Sequence, residues 1–564
     1  MSASVAEARA KPAYGWAAKG DVNAFFGLML DNISNMILMA SLLVTVFHFP
    51  AEFVLTRMIP GTAVGVLVGD LIYTAMAFRL ARRAGRADVT AMPLGLDTPS
   101  TFGVVFLILG PAYLDATSRR GLDPNAAARH AWFLGIAMLV ASGVFKLACA
   151  LFSGAIRRAI PRAGLLGSLA AIALVLIAFL PLLDIVAYPI AGFAALAVIL
   201  ATLTARWQLP GQIPGALAAV VLGCLVYYGM NLVGLGPGFG AEGGLPTQPF
   251  RAVLPMPVAE WLVWCQAAWR EAISYLPVAM PLALATVVGG IDCVESASAA
   301  GDEYPTGPII AAEGIATLAG GLFGGVIQST PYIGHPAYKA MGARAAYTLA
   351  TALFVGSAGV FGYFGWIFCL IPKVVIFPIL IFVGLEITAQ SFRATPVRHY
   401  PALALACVPT LAYLVLIPLN SLFQQSGKPF HEYPAQDQHT LQTLTILANG
   451  FIVTSLLWAT GLAKIIEGRM RPAAATFALA GAFALFGVIH SPLPSGSIST
   501  PAEAMRQLSA MHRAKATMFQ TPYHLAAAYL GMAAVLLALG RSGRAPAPEL
   551  HDPIEAAGNE DNSH

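Results

Sequence analysis

The chain has 564 residues, of which 57% are hydrophobic and 11% charged, with a net charge of +4 and a mean hydropathy of +0.71. Soluble domains carry about 25% charged residues, so a single soluble core is excluded and lipid is the main solvent. The small net charge, with basic residues in short clusters between apolar runs, speaks for membrane topology and against nucleic-acid binding.

Residues 1–20 are polar and lack the apolar core of a signal peptide; they read as a disordered cytoplasmic N-terminus. A first apolar run, Phe25 to Phe49, carries Asp31, Asn32, Ser34 and Asn35. A second, Val54 to Phe78, ends at Arg79, Arg82, Arg83 and Arg86. Pro93, Gly95, Pro99 and Gly103 then forbid a continuous helix, and the stretch reads as a short extended segment leading into a half-helix, with Asp97 at the junction. Spans follow at Ala131–Phe152, Leu165–Leu180, Ile185–Leu203 and Ile213–Leu232, then a Gly/Pro-rich loop. Glu260–Tyr275, with Trp261, Trp264 and Trp269 and charges of both signs, reads as an interfacial helix.

The stretch from Pro281 to Gly342 concentrates the unusual chemistry. It places Asp292 and Glu295 in an apolar span, then breaks a later run with Gln328-Ser-Thr-Pro331 and Gly334-His335-Pro336. Charge at membrane depth is costly and marks function by default. Broken backbone there survives only when buried in protein or lining a cavity. Further spans are expected at Tyr347–Leu370, Val374–Thr388, Leu403–Leu419, Leu444–Ala463, Ala473–Ile489 and His524–Leu539. The total is sixteen crossing or half-crossing segments. With both termini cytoplasmic, nearly all Arg/Lys clusters fall inside, while Arg506, Arg513 and Lys515 fall outside.

The halves rhyme: an acid-bearing span (Asp31; Asp292), a small-residue span, a broken segment, then a long apolar span. Seven segments per half is odd, so the second repeat runs inverted, with its broken segment facing the first at the midplane. The organisation expected is a first repeat over 21–234, a loop and interfacial helix over 235–275, a second repeat over 276–470, extra spans over 471–540 and a disordered cytoplasmic tail over 541–564.

GIDCVES at Gly290–Ser296, the small-residue run GPIIAAEGIATLAGGLFGG and the segment STPYIGHPAYKAMGAR at Ser329–Arg344 resemble the xanthine/uracil permease superfamily (nucleobase:cation symporter-2), nearest the hypoxanthine/adenine/guanine branch. MPLGLDT at Met92–Thr98 is similar to that family's Pro/Gly-rich segment, and the likeness covers about 25–465. It implies an all-α polytopic membrane protein of the uracil-permease-like fold, fourteen segments in two inverted sevens with core and gate domains. It also implies proton-coupled uptake of a purine or related nucleobase across a bacterial-type inner membrane. On its motifs, Asp292 falls on the substrate-binding acid, Ser329 and Thr330 on a hydroxyl pair, and Asp97 on an Asn. The family's second acid falls on Gly334, which removes a carboxylate that would hold the base; His335 beside it, or Glu295, stands in to compensate.

Asp292 and Glu295, three apart, share a helix face, so their carboxylates repel and one favours its protonated form. Together with Asp31 they are the proton-coupling candidates. Each has a plainer reading. Asp292 and Glu295 can cap or pair with a neighbouring helix, Asp31 and Asp97 can brace the broken segments, and His335 can simply hydrogen-bond. Asp302 and Glu303 read as solvated loop acids and Glu386 as a contact at a span end.

The six cysteines stand singly, without metal-ligand spacing, and there is no phosphate loop, no GxGxxG between strand and helix and no hydrolase triad. No enzyme, cofactor or metal is indicated, and the sequence is compatible with a homodimer. The competing reading is an anion carrier for sulfate, bicarbonate or a carboxylate on the same fold, which the missing acid at Gly334 favours and Asp292 opposes.

Overall fold

The computed structural model describes residues 14–542, apart from 160–161, 236–256, 333, 394, 427–429, 495, 497, 512 and 514–517. Residues 1–13 of the expected disordered N-terminus, most of the Gly/Pro-rich loop and most of the C-terminal tail lie outside the described residues, while residues 14–20 are ordered, with the Tyr14 hydroxyl donating to Val89 O at 2.8 Å. The protein is an all-α multi-pass membrane protein. Among the described residues ten helices are long and apolar enough to cross a membrane, or up to twelve when two sharply bent pairs are each taken as one span. The sixteen expected segments exceed that number because some are short or broken: Pro189–Thr204 and Met470–Leu485 are apolar but shorter, and the second broken segment holds only a strand and one helical turn or so.

The core is built in order from α1 (Gly20–Ser41), α2 (Ile59–Ala84), β1 (Leu94–Leu96), α3 (Thr98–Val104) and α4 (Pro124–Ala159). Later in the chain come α5 (Glu260–Ala299), α6 (Thr306–Leu322), β2 (Ser329–Pro331), α7 (His335–Ala340) and α8 (Ala346–Phe361). The same order of helix, helix, strand, half-helix, helix therefore occurs twice. β1 and β2 pair antiparallel, with Gly95 opposite Thr330. The repeated order and the antiparallel strand pair fit an inverted repeat, with further segments after it. α6 packs between α2 and α4, and α8 against α1 and α2, so the repeats interleave.

Among the described residues five wide, π-type turns occur, and three of them, at Val54–Met58, Val105–Leu109 and Ala173–Ala178, share a cause. Each is followed within three residues by a proline: Pro60, Pro111 or Pro181. A proline ring clashes with the carbonyl four residues back, here Thr56, Leu107 or Ile177, and widening that turn relieves the clash without breaking the span. The sequence reading separates Glu260–Tyr275 from the following span; the structure runs both as one helix with a local break at Ala268.

The chain divides into two compact units, Met1–Ile160 with Leu169–Arg393 and Pro161–Ser168 with Ala394–His564. The first holds the core and the gate-layer helices Phe179–Ala187, Pro189–Ile199, Gly215–Leu232 and Lys373–Arg393, which pack on one another. In the second, Tyr400–Ser426 packs on Phe451–Ile466, which packs on Met470–Leu485, which packs on Pro522–Ser542. Gly450 breaks this unit with a left-handed φ of 70°. Asn449 beside it donates through Nδ2 to the carbonyls of Ser491 (2.7 Å) and Leu493 (2.9 Å), so the irregular stretch is satisfied from within.

Candidate functional site

The strand crossing is a backbone accounting problem. In so short a ladder half of the polar groups point away from the partner strand, and in lipid each needs a partner. On β1, Asn32 of α1 supplies two. Its Oδ1 accepts from Leu96 N at 3.0 Å and its Nδ2 donates to Leu94 O at 3.3 Å. Asp70 of α2 accepts from Leu94 N at 3.1 Å. On β2, Thr317 of α6 accepts from Ser329 N at 3.3 Å, the Cys293 thiol of α5 donates to Pro331 O at 3.3 Å, and Lys146 of α4 donates to Ser329 O at 2.9 Å. The pairing continues past both strands, from Tyr332 N to Pro93 O and from Asp97 N to Gln328 O.

Lys146 also lies 2.8 Å from Glu313 Oε1, and both side chains are wholly buried. Gly290 of α5 makes room for that acid, since a Cβ there would stand 2.8 Å from Glu313 Oε2. Sequence reasoning missed Lys146, Glu313 and Asp70. Each is a lone charge inside an apolar run, the same signal that singled out Asp292.

The expected residues distribute as follows. Asp97 caps the half-helix, with its Oδ2 accepting from Ser100 N at 2.7 Å. Ser329 is buried, while Thr330 is half-buried opposite Gly95. Gly95 needs its small size, because a Cβ would stand 3.2 Å from the Tyr332 ring. Asp31 is 2% exposed and precedes Asn32, the brace of β1; Asp292 is half-buried and precedes Cys293, the brace of β2. The two acids thus occupy equivalent places in the two repeats. Glu295 lies half-buried one turn on. At Gly334 the constraint is space: a Cβ would stand 2.6 Å from Tyr332 Cε1 and 3.1 Å from the Tyr338 ring. Where the resemblance calls for an acid, an aromatic ring fills the place.

His335 is buried with its Nε2 3.2 Å from Thr90 O and 3.4 Å from Asp302 Oδ2, rather than facing the strands. It belongs to an ionic layer at the end of the bundle that carries Arg86 and Lys339. Asp302, expected as a solvated loop acid, is fully buried there. Lys339 Nζ lies at 2.6 Å, Arg86 Nη1 at 3.3 Å, and Thr90 N donates to its Oδ2 at 3.1 Å. Burial alone would raise the Asp302 carboxyl, but the hydrogen bonds from His335, Lys339 and Thr90 outweigh it and hold the group below its ordinary range. Glu303 is exposed, as expected. Among the described residues no group of three or more His, Cys, Asp or Glu side chains is placed to hold a metal.

No known protein family and no curated protein sequence matches the chain. Among the solved structures that are similar are the following three. SLC26A9 is 13% identical with a TM-score of 0.45, over 70% of this chain and 61% of that one, so the match spans less than two thirds of its length. The transmembrane domain of the cyanobacterium bicarbonate transporter BicA is 17% identical with a TM-score of 0.46, over 72% and 96%. The murine SLC26A9 anion transporter in its inward-facing state is 14% identical with a TM-score of 0.47, over 74% and 70%. The purine-permease resemblance is corrected accordingly: no xanthine/uracil permease family matches, and the similar structures belong to anion transporters.

Proposed function

We propose that the protein is a secondary active transporter that carries a small anion such as sulfate, bicarbonate or a carboxylate, together with protons, by alternating access. The observation that supports it most is the strand crossing itself. Two broken segments meet within the buried core, the helix running from Thr98 to Ser118 starts there, and the Ser329 and Thr330 hydroxyls stand beside it. A helix N-terminus favours negative charge, a demand that Asp97 already meets in part at Ser100 N, and the ring at Gly334 excludes the acid that a base-binding site would use.

Asp292 and Glu295 give the coupling. Two ionised carboxylates would repel an anion, so the anion enters only when they are protonated, and the proton travels with it. Purified protein in liposomes tests this with labelled sulfate, bicarbonate and carboxylates, with and without an inward proton gradient and an uncoupler. Saturable anion uptake driven by the gradient, lost in Asp292→Asn, is expected. Anion uptake that ignores both the gradient and that substitution overturns the coupling, and no anion uptake by the wild type overturns the substrate class.

A further inference from the structure

The mechanism above leaves a stripe of α1 unused. Gly27, Asp31 and Asn35 follow at intervals of four and share one face of the helix. Asp31 is 2% and Asn35 0% exposed, and Asp31 Oδ1 and Asn35 Oδ1 find no hydrogen-bond partner among the described residues. Asn35 Nδ2 donates to Asp31 O at 3.2 Å, which folds the amide back over Asp31. At the other end of the stripe the Tyr338 hydroxyl lies close, 3.2 Å from where a Cβ of Gly27 would be. Gly95 of β1 adjoins the carboxylate, a Cβ there standing 3.6 Å from Asp31 Oδ2.

Buried oxygens without donors are costly in any protein and more so in lipid. Among the described residues no basic side chain pairs with Asp31, in contrast to Glu313 with Lys146. A carboxylate, an amide oxygen and a hydroxyl on one buried stripe are hard oxygen ligands, the chemistry that a small hard cation seeks. The single carboxylate balances one positive charge.

We propose that Asp31 and Asn35 form a binding site for a monovalent cation, sodium in the first instance, beside β1 and separate from the acids on α5. Because Asn32, the next residue, holds the outer edge of β1 at Leu94 and Leu96, occupancy of this site bears directly on the strand crossing.

The test reads binding without transport, so it stands or falls apart from the substrate reading. Full-length protein in detergent is melted in sodium chloride against choline chloride at equal ionic strength. A saturable rise in Tm of about 3 °C or more with sodium is expected, abolished in Asp31→Asn and shifted to about tenfold higher sodium in Asn35→Ala, because each removes an oxygen ligand. No sodium-dependent rise in the wild type, or the same rise in Asp31→Asn, overturns the proposal. If Asp31→Asn does not fold, Asn35→Ala decides alone, and an unchanged sodium dependence in it is the overturning result.

Discussion

The two broken segments are equivalent in the repeat but are held by opposite chemistry. β1 is braced by oxygen-rich, uncharged or acidic side chains, Asn32 and Asp70, with Asp31 and Asn35 alongside. β2 is braced by a hydroxyl, a thiol and a buried ammonium, Lys146, whose charge Glu313 balances. The first segment continues into a helix that runs to Ser118, the second into the six residues of α7. Inversion thus fixes where the backbone breaks, while the side chains around each break decide which charge it tolerates. One crossing can in this way offer a cation-seeking wall and a cation-bearing wall.

The sharpest way to break the comparison is at Lys146. Lys146→Ala strands Glu313 and leaves the Ser329 carbonyl only its longer bond from the Thr317 hydroxyl, and is expected to cost about 3–5 kcal/mol, read as a loss of folded protein in detergent melts. The double change Lys146→Met with Glu313→Leu should be markedly more stable than either single change, because no charge is left to bury. Next is Asn32→Ala, which leaves Leu96 N and Leu94 O without partners and should cost about 2–3 kcal/mol. If its cost matches the Lys146 variant, the charged brace is no stronger than the neutral one. Gly334→Ala forces the Tyr332 ring aside, at a cost of about 1–3 kcal/mol, whereas Gly342→Ala is not crowded and is strained only by its φ of 79°.

The smallest effect joins the two sides. Asp302 bonds Thr90 ahead of β1 and His335 and Lys339 after β2. Its folded-state carboxyl is held below the ordinary value of 3.8, so it contributes stability at pH values above that and loses it as the pH falls through the folded value. The Tm advantage of wild type over Asp302→Asn is therefore expected at pH 7 and should shrink below about pH 4. An advantage that persists at low pH would mean that charge is not what Asp302 supplies.

The sequence made much of this readable, but unevenly. Composition and apolar runs announced a polytopic helical protein, and Pro93, Gly95 and Pro99 announced the extended segment and half-helix where β1 and α3 lie. The burial of Asp302 is not legible locally, because nothing in Gly301-Asp302-Glu303 shows that Arg86, His335 and Lys339 arrive from far along the chain. Lys146 and Glu313 escaped because pairing across α4 and α6 is a property of packing, and each alone looked like an interruption of a span. Gly334 was read as a lost acid; the space that the Tyr332 ring takes up is visible only in three dimensions. The purine-permease likeness rested on short motifs around that same place.

If the crossing of β1 and β2 admits an anion with a proton, liposomes preloaded with one unlabelled anion and offered labelled sulfate, bicarbonate, carboxylates or nucleobases at two external pH values will show saturable anion counterflow, faster at the lower pH, and none for nucleobases. Nucleobase counterflow without anion counterflow would rule out an anion site at the crossing.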